Sequence, residues 1–266
     1  MNTKSSGLII VLAVIAAVLG WRYFTRPTYI GPQPTIPSVE PTATPTPAPQ
    51  HTKEELGKLL MLPLTVTASK TGIATSAATL QYLKTYSPGF VLFFGDAIST
   101  QSASAARQTL LAHTNHIPAL AVDHEGGSVQ RLSGLGFTKL PSFRDVCKLP
   151  TEERRALFSQ SAQELQAAGV TVALGPVIDV AVDNSVLTDR ICSKDKGVVT
   201  AVAQEFITEF QKRGITPVLK HYPGIGGTTK DLHKSIDAIT ESPAEISIYQ
   251  SLLRIYPSIG VMVAHV

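Results

Sequence analysis

Cysteine is scarce in this chain: only Cys147 and Cys192 occur in 266 residues. Two thiols cannot build a disulfide framework or a four-ligand zinc site, and one optional bridge is the most they allow. Charge is also sparse, at 16% of residues against 44% hydrophobic. That balance excludes a disordered chain and leaves enough apolar surface for a core. No excess of one sign remains in the body of the protein. The net charge is +3, but Lys4, Arg22 and Arg26 lie in the first 26 positions, where there is no acid, and the rest holds 20 basic and 20 acidic side chains. Nucleic-acid binding draws on a basic surface, so no nucleic-acid partner is expected.

Several binding signatures are absent too. The stretch Gly224-Ile225-Gly226-Gly227-Thr228-Thr229-Lys230 lacks the Gly-Lys-Ser/Thr order of a phosphate-binding loop. Gly126-Gly127-Ser128-Val129-Gln130 lacks the last glycine of a nucleophile elbow, and His124-Glu125 lacks the second histidine of a zinc-hydrolase helix. Neither a metal nor a cofactor is expected.

What the sequence does have begins with an apolar run. Gly7–Phe24 holds 18 residues with Arg22 as its one charge. At ~1.5 Å per residue it makes about 27 Å of helix, enough for the hydrocarbon core of a bilayer. An Ala-x-Ala cleavage site is missing, and Trp21 and Tyr23 sit where interfacial aromatics belong, which favours an uncleaved signal anchor over residues 1–26 and a cleaved signal peptide second. Residues 27–50 then carry eight prolines among Thr, Ala and Gln. Such a segment extends as polyproline II, at ~3.1 Å per residue roughly 75 Å overall. A spacer between a membrane helix and a folded body suits a protein held at the cell surface.

From His51 to Val266 short β-branched runs alternate with helical stretches. Thr52 and Glu55 form a capping box ahead of the run Leu59–Val66, and Ser242-Pro243-Ala244-Glu245 forms a second one. Strands are expected at that run and at Phe90–Phe94, Ala119–Val122, Val170–Leu174, Thr216–Leu219 and Gly260–Ala264. Helices are expected at Ala74–Thr85, Ser102–Ala112, Glu152–Ala168 and Gly197–Arg213, the last presenting Val198, Val202, Phe206 and Phe210 as an apolar row. Six strands buried on both faces and alternating with helices mean a parallel sheet. Polar residues then fall at the C-terminal ends of several of them: Asp123-His124-Glu125, Asp179 and Asp183, Lys220-His221, and His265. A (β/α)8 barrel distributes its site in this way, whereas a doubly wound sheet concentrates it at one switch point. A barrel needs eight strands, so the chain is expected to be about three quarters of one and part of a longer protein.

The acid/base candidate is Asp231-Leu232-His233. Residues two apart in an extended segment point the same way, so the Asp231 carboxylate fixes the tautomer of His233 and leaves the other ring nitrogen to exchange protons.

Three motifs carry a family resemblance. Asp123-His124-Glu125-Gly126-Gly127-Ser128-Val129-Gln130-Arg131 resembles the Asp-x-Glu-Gly-Gly-x-Val-Gln-Arg signature of family 3 glycoside hydrolases, in their β-N-acetylglucosaminidase branch. Lys220-His221-Tyr222-Pro223-Gly224-Ile225-Gly226 with Asp231-Leu232-His233 is similar to that branch's Lys-His-Phe-Pro-Gly-His-Gly and Asp-x-His loop. Gly175–Val180, Thr188-Asp189-Arg190 and Met262–Val266 match further segments in order. The resemblance implies that Asp231 and His233 are the catalytic dyad, that Asp123, Arg131, Arg190, Lys220 and His221 hold an N-acetylated sugar, and that Asp179 is structural. It also implies that a nucleophilic aspartate follows a seventh strand, beyond Val266. Ile225 departs from the pattern, in place of a histidine, as does Ser128, in place of a common arginine. Two rivals to a retaining hydrolase of N-acetylglucosamine-containing glycans stay open: a phosphorylase, and a surface sugar-binding protein without activity.

Overall fold

The computed structural model describes residues 51–67, 76–180, 187–228 and 242–265. The expected anchor and linker, Asp183 and the Asp231–His233 pair lie outside them. Among the described residues no helix is long and apolar enough to cross a membrane.

Helix α1 (Lys53–Gly57) opens on the expected capping box: the Thr52 hydroxyl accepts the Glu55 N–H, and the Glu55 carboxylate accepts the Thr52 N–H at 2.8 Å. Strand β1 (Met61–Thr65) follows, then α2 (Ala77–Tyr86), β2 (Phe90–Phe94), α3 (Thr100–His113) and β3 (Ala119–Gly126). A two-residue strand, β4 (Val129–Gln130), folds back antiparallel on β3. Helices α4 (Phe143–Val146) and α5 (Thr151–Ala167) lead to β5 (Val172–Leu174). A 3-10 turn (Thr188–Arg190), α6 (Lys196–Gln211), β6 (Thr216–Tyr222), α7 (Pro243–Ile255) and β7 (Gly260–Val263) complete the order.

Among the described residues six parallel strands run β1-β2-β3-β5-β6-β7, with β4 off that path. The expected six strands are therefore present, and β4 is an addition. β3 and β6 also run further than expected, through Gly126 and Tyr222, which carries the polar residues of both motifs into the strands themselves.

Side-chain alternation assigns the two faces of the sheet. Leu92, Ala119, Ala121, Val172, Leu174, Val218 and Met262 cluster on one face. Leu64, Val91, Phe93, Leu120, Val122, Ala173 and Leu219 belong to the main core on the other, under the helices. In that helical layer Phe158 of α5 meets Phe206 of α6 edge-on at 5.2 Å, and Arg154 of α5 grips Glu205 of α6 with two bonds of 2.7 Å.

Two sequence expectations need correction. Val202, Phe206 and Phe210 of the α6 row are buried, but Val198 is 39% exposed and Val199 takes its place in the core. Residues four apart advance 400°, so a row drifts by about 40° per step and leaves the buried face after three steps. At α7, Ser242 caps the first turn as expected, yet the Glu245 carboxylate binds the backbone N–H groups of Val180, at 2.8 Å, and Gly226, at 3.3 Å. It ties two loops of the rim together, and burial pushes its carboxyl above the ordinary glutamate value.

His124 lies on the helix-facing side of β3 with Val122, and its Nε2 is 2.6 Å from the Ser161 hydroxyl of α5. Nδ1 is buried with no partner. Burial lowers the pKa of the ring to about 4, against a smaller opposite pull from Glu164. Because the unfolded chain takes up this proton near pH 6.5 and the folded chain only near 4, stability must fall as the pH drops through that window, by roughly 3 kcal/mol from this group. Urea unfolding measured from pH 7 to 4 should show the loss, and a His124→Phe variant should flatten it. Equal slopes in the two proteins would contradict the assignment.

Candidate active site

The polar rim follows from the alternation just described. Ala119 and Ala121 face the inner side of β3, so Asp123 and Glu125 continue that face while His124 turns away. On β6, Val218 faces the same side and Lys220 follows it. Two carboxylates and an ammonium thereby meet at the C-terminal ends of β3 and β6, across the intervening β5.

Lys220 Nζ lies 3.0 Å from Asp123 Oδ1 and 2.5 Å from Glu125 Oε1. Arg190 closes on Glu125 from the other side with a bidentate pair, Nε to Oε2 at 2.8 Å and Nη2 to Oε1 at 2.9 Å. The Arg190 Nη2 also reaches His221 Nε2 at 3.5 Å. His221 in turn holds Asp179 through Nδ1, at 2.8 Å, and the second oxygen of Asp179 accepts the Ile225 N–H at 2.8 Å. In the tautomer that donates Nδ1–H to Asp179, the lone pair lies on Nε2, the atom that Arg190 approaches. Asp179 thereby joins His221 to the backbone of the loop at Ile225.

Burial divides the network. Glu125 and Lys220 are almost sealed, at 3% and 2% exposure. The side chains of Asp123, Arg131, Arg190 and His221 keep an open edge. Burial pushes the Glu125 carboxyl up, but the Lys220 ammonium and the Arg190 guanidinium outweigh it and hold the group below the ordinary glutamate value. The Arg190 guanidinium, despite its own burial, is held more firmly protonated by the Glu125 carboxylate, with smaller contributions from Asp179 and Asp123. An ammonium has three donors. Lys220 spends two of them on carboxylates, which leaves one.

Arg131 arrives through the β3–β4 hairpin. Gly126 and Gly127 turn the chain at φ +95° and +56°, and a Cβ on Gly126 would lie 2.3 Å from the Pro141 carbonyl oxygen. Gln130 then pins the following loop, accepting the Leu140 N–H and donating to the carbonyls of Leu132 and Thr138. Arg131 N donates to Asp123 O at 3.2 Å, which sets the two residues opposite one another. Their side chains stay 3.9 Å apart, while Arg131 Nη1 bonds Asp96 at 2.9 Å and its guanidinium sits 5.1 Å from the Phe94 ring. Arg131 therefore does more than pair with Asp123.

The departure at Ile225 has a packing reason: it is buried with Leu187 and Ile191, under the turn that carries Arg190. Gly224 at φ +130° lets the loop pass Glu245, whose Oε2 would lie 2.3 Å from any Cβ there. A cleft of about 730 Å³ opens at the other end of the strands, lined by Met61, Phe90, Ala119, Val218, Met262 and their neighbours. Its walls are apolar and hold none of the charged groups, so the chemistry belongs to the rim.

Five of the seven expected site residues, Asp123, Arg131, Arg190, Lys220 and His221, come together in one network; Asp231 and His233 lie outside the described residues. Sequence reading left Glu125 unassigned although it binds both buried-side cations. Its signal was the two-residue spacing from Asp123 on a strand.

Residues 51–266 match the glycosyl hydrolase family 3 N terminal domain. The chain belongs to this family. It is 30% identical over 229 residues to the beta-hexosaminidase LpqI of Mycobacterium tuberculosis, an alignment covering 82% of this chain and 56% of that protein. The solved structure of M. tuberculosis LpqI superposes with a TM-score of 0.63 at 28% identity, over 80% of this chain and 62% of that one. The beta-N-acetylhexosaminidase of Beutenbergia cavernae shares the fold with a TM-score of 0.69 at 24% identity, over 80% and 67%. The chain spans a little over half the length of the curated relatives it matches.

Within this family 3 domain the energetic weight falls on the buried carboxylate. Glu125→Gln leaves two cations facing one acceptor fewer and should lower the unfolding free energy by about 3–5 kcal/mol. Asp96→Asn removes an ion pair whose acid is 90% exposed and should cost less than about 1 kcal/mol. Denaturant unfolding of the two variants checks the ranking, and equal losses would contradict it.

Proposed function

We propose that the full-length protein is a retaining glycosidase that removes terminal β-linked N-acetylglucosamine from peptidoglycan fragments or related glycans. The observation that carries this reading is the convergence of Asp123, Lys220, Arg190 and His221 on one rim, in a chain of family 3. Family membership and the beta-hexosaminidase names of the relatives supply the reaction class. The rim supplies the recognition chemistry: a carboxylate and a planar guanidinium suit paired hydroxyls.

In this reading His233, oriented by Asp231, donates a proton to the glycosidic oxygen while a carboxylate from residues after Val266 attacks the anomeric carbon. The leaving alcohol departs and a glycosyl-enzyme ester remains. His233, now neutral, takes a proton from water as the oxygen attacks that carbon, and the ester carboxylate is released. Asp123, Arg131, Arg190, Lys220 and His221 keep the sugar in place through both displacements. No step calls on a metal or cofactor.

The reading extends to location. The apolar run Gly7–Phe24 and the Pro-rich spacer support a single-pass anchor with the domain outside the cell membrane. Cys147 and Cys192 are joined by a disulfide, a bond that persists in oxidising compartments, which supports export independently.

Release of the aryl group from an aryl β-N-acetylglucosaminide, followed with and without inorganic phosphate, tests the proposal. Hydrolysis that does not need phosphate is expected. A sugar phosphate as product would reassign the protein as a phosphorylase, and sugar binding without turnover would reassign it as a binding protein. His233→Ala should slow both displacements by about 10²–10⁴-fold; an unchanged rate would refute the dyad.

A further inference from the structure

The disulfide bridges residues 45 apart in sequence and ends two residues past Arg190. Cys147 is the C-cap of α4, a helix anchored by buried Phe143 and Val146. Cys192 closes the segment Leu187–Cys192, which belongs to no strand and to no helix longer than the three-residue 3-10 turn. Of the two cations that hold Glu125, Arg190 is the one whose backbone lies outside the sheet: Lys220 stands on β6, and its partners Asp123 and Glu125 stand on β3.

Contacts of several kinds hold that segment besides the Arg190–Glu125 pair. Leu187 and Ile191 pack on Ile225, Arg144 of α4 donates to the Thr188 carbonyl, and the Cys147–Cys192 bond fastens the segment to α4 covalently. The β3–β4 turn is wedged against the same group. A Cβ on Gly127 would lie 2.8 Å from Ser142 Cα and 3.4 Å from Asp189 Oδ2. Helix α4, the turn that follows Glu125 and the turn that carries Arg190 thus form one packed unit, and the disulfide is its only covalent tie across sequence among the described residues.

We propose that the Cys147–Cys192 bond is a positioning device for Arg190, so that the rim gains its full affinity for sugar only after the chain reaches an oxidising compartment. This rests on the reading of Arg190 as a sugar-binding residue. Formation of the bond takes two electrons and two protons from the two thiols and passes them to a protein or small-molecule disulfide, which becomes a dithiol. Before that exchange the turn lacks its covalent tie to α4 and is restrained by apolar packing, the Arg144 contact and the Arg190–Glu125 pair, so part of its ordering falls at the moment of binding. After it, the ordering is already in place, which is how preorganisation raises affinity. Cys147 and Cys192 touch no substrate in this scheme; they act through Arg190.

The test uses the full-length protein in three forms: oxidised, fully reduced with both thiols counted, and Cys147→Ser/Cys192→Ser. Two measurements are made on each, KM against kcat for an aryl β-N-acetylglucosaminide and hydrogen exchange of the amides of 188–192. Loss of the tie should raise KM by about tenfold, the scale of one charge-assisted hydrogen-bonding group no longer held in place, with kcat within about twofold. Exchange should quicken in 188–192 and stay unchanged in β3 and β6. Reoxidation should restore the wild-type chain and leave the serine variant as it is. The same KM and the same exchange in the reduced form would overturn the proposal. So would loss of protection throughout the domain, because the bond would then be holding the fold and not Arg190. Absence of turnover in the oxidised form would sink the glycosidase reading instead, and the exchange of 188–192 would still decide whether the bond positions Arg190.

Discussion

Lys220 and Arg190 reach the rim from different elements, one from the end of β6 and the other from a turn after β5, and two cations brought this close repel each other. Glu125 makes their approach favourable. Its two oxygens divide between them, one shared by the ammonium and the guanidinium and the other given to the guanidinium alone. The carboxylate is buried, so it cannot exchange its partners for water, and removing either cation would strand a charge away from solvent. Other groups of the rim are referred to this point: Asp123 through Lys220, His221 through Arg190, and the buried Asp179 through His221.

The same strand that presents Glu125 hides His124. A period of two sends Asp123 and Glu125 to the inner face and the histidine between them into the helical layer, where Ser161 and the ring of Phe210 receive it. A motif that reads as one cluster of three polar residues is physically two environments on opposite sides of a sheet. The glycines that follow serve the first: they reverse the chain so that Arg131 comes back across from Asp123.

Much of the architecture was legible because it is local. Capping residues, apolar runs and their alternation placed the six parallel strands and the long helices within a few residues, since each depends on neighbours in sequence. The polar ends of the strands pointed, for the same reason, to residues that the fold gathers on one rim. What could not be read depends on distant partners. Glu125 looks the same in sequence whether it faces water or two cations, and its partner Arg190 is 65 residues away. Glu245 reads as half of a capping box until Val180 and Gly226 are seen to claim it. The cysteines left a bridge optional, and only the fold places them beside the Arg190 turn.

The central claim is that a buried carboxylate organises a rim on which a pyranose ring sits. A crystal structure of the full-length protein with N-acetylglucosamine bound measures this most directly. The account predicts the sugar against the open edges of Asp123, Arg131, Arg190 and His221, with Glu125 still bridging Lys220 and Arg190 beneath it. A sugar seated in the apolar cleft at the opposite ends of the strands, or one that reaches the rim only by parting Glu125 from its two cations, would contradict it.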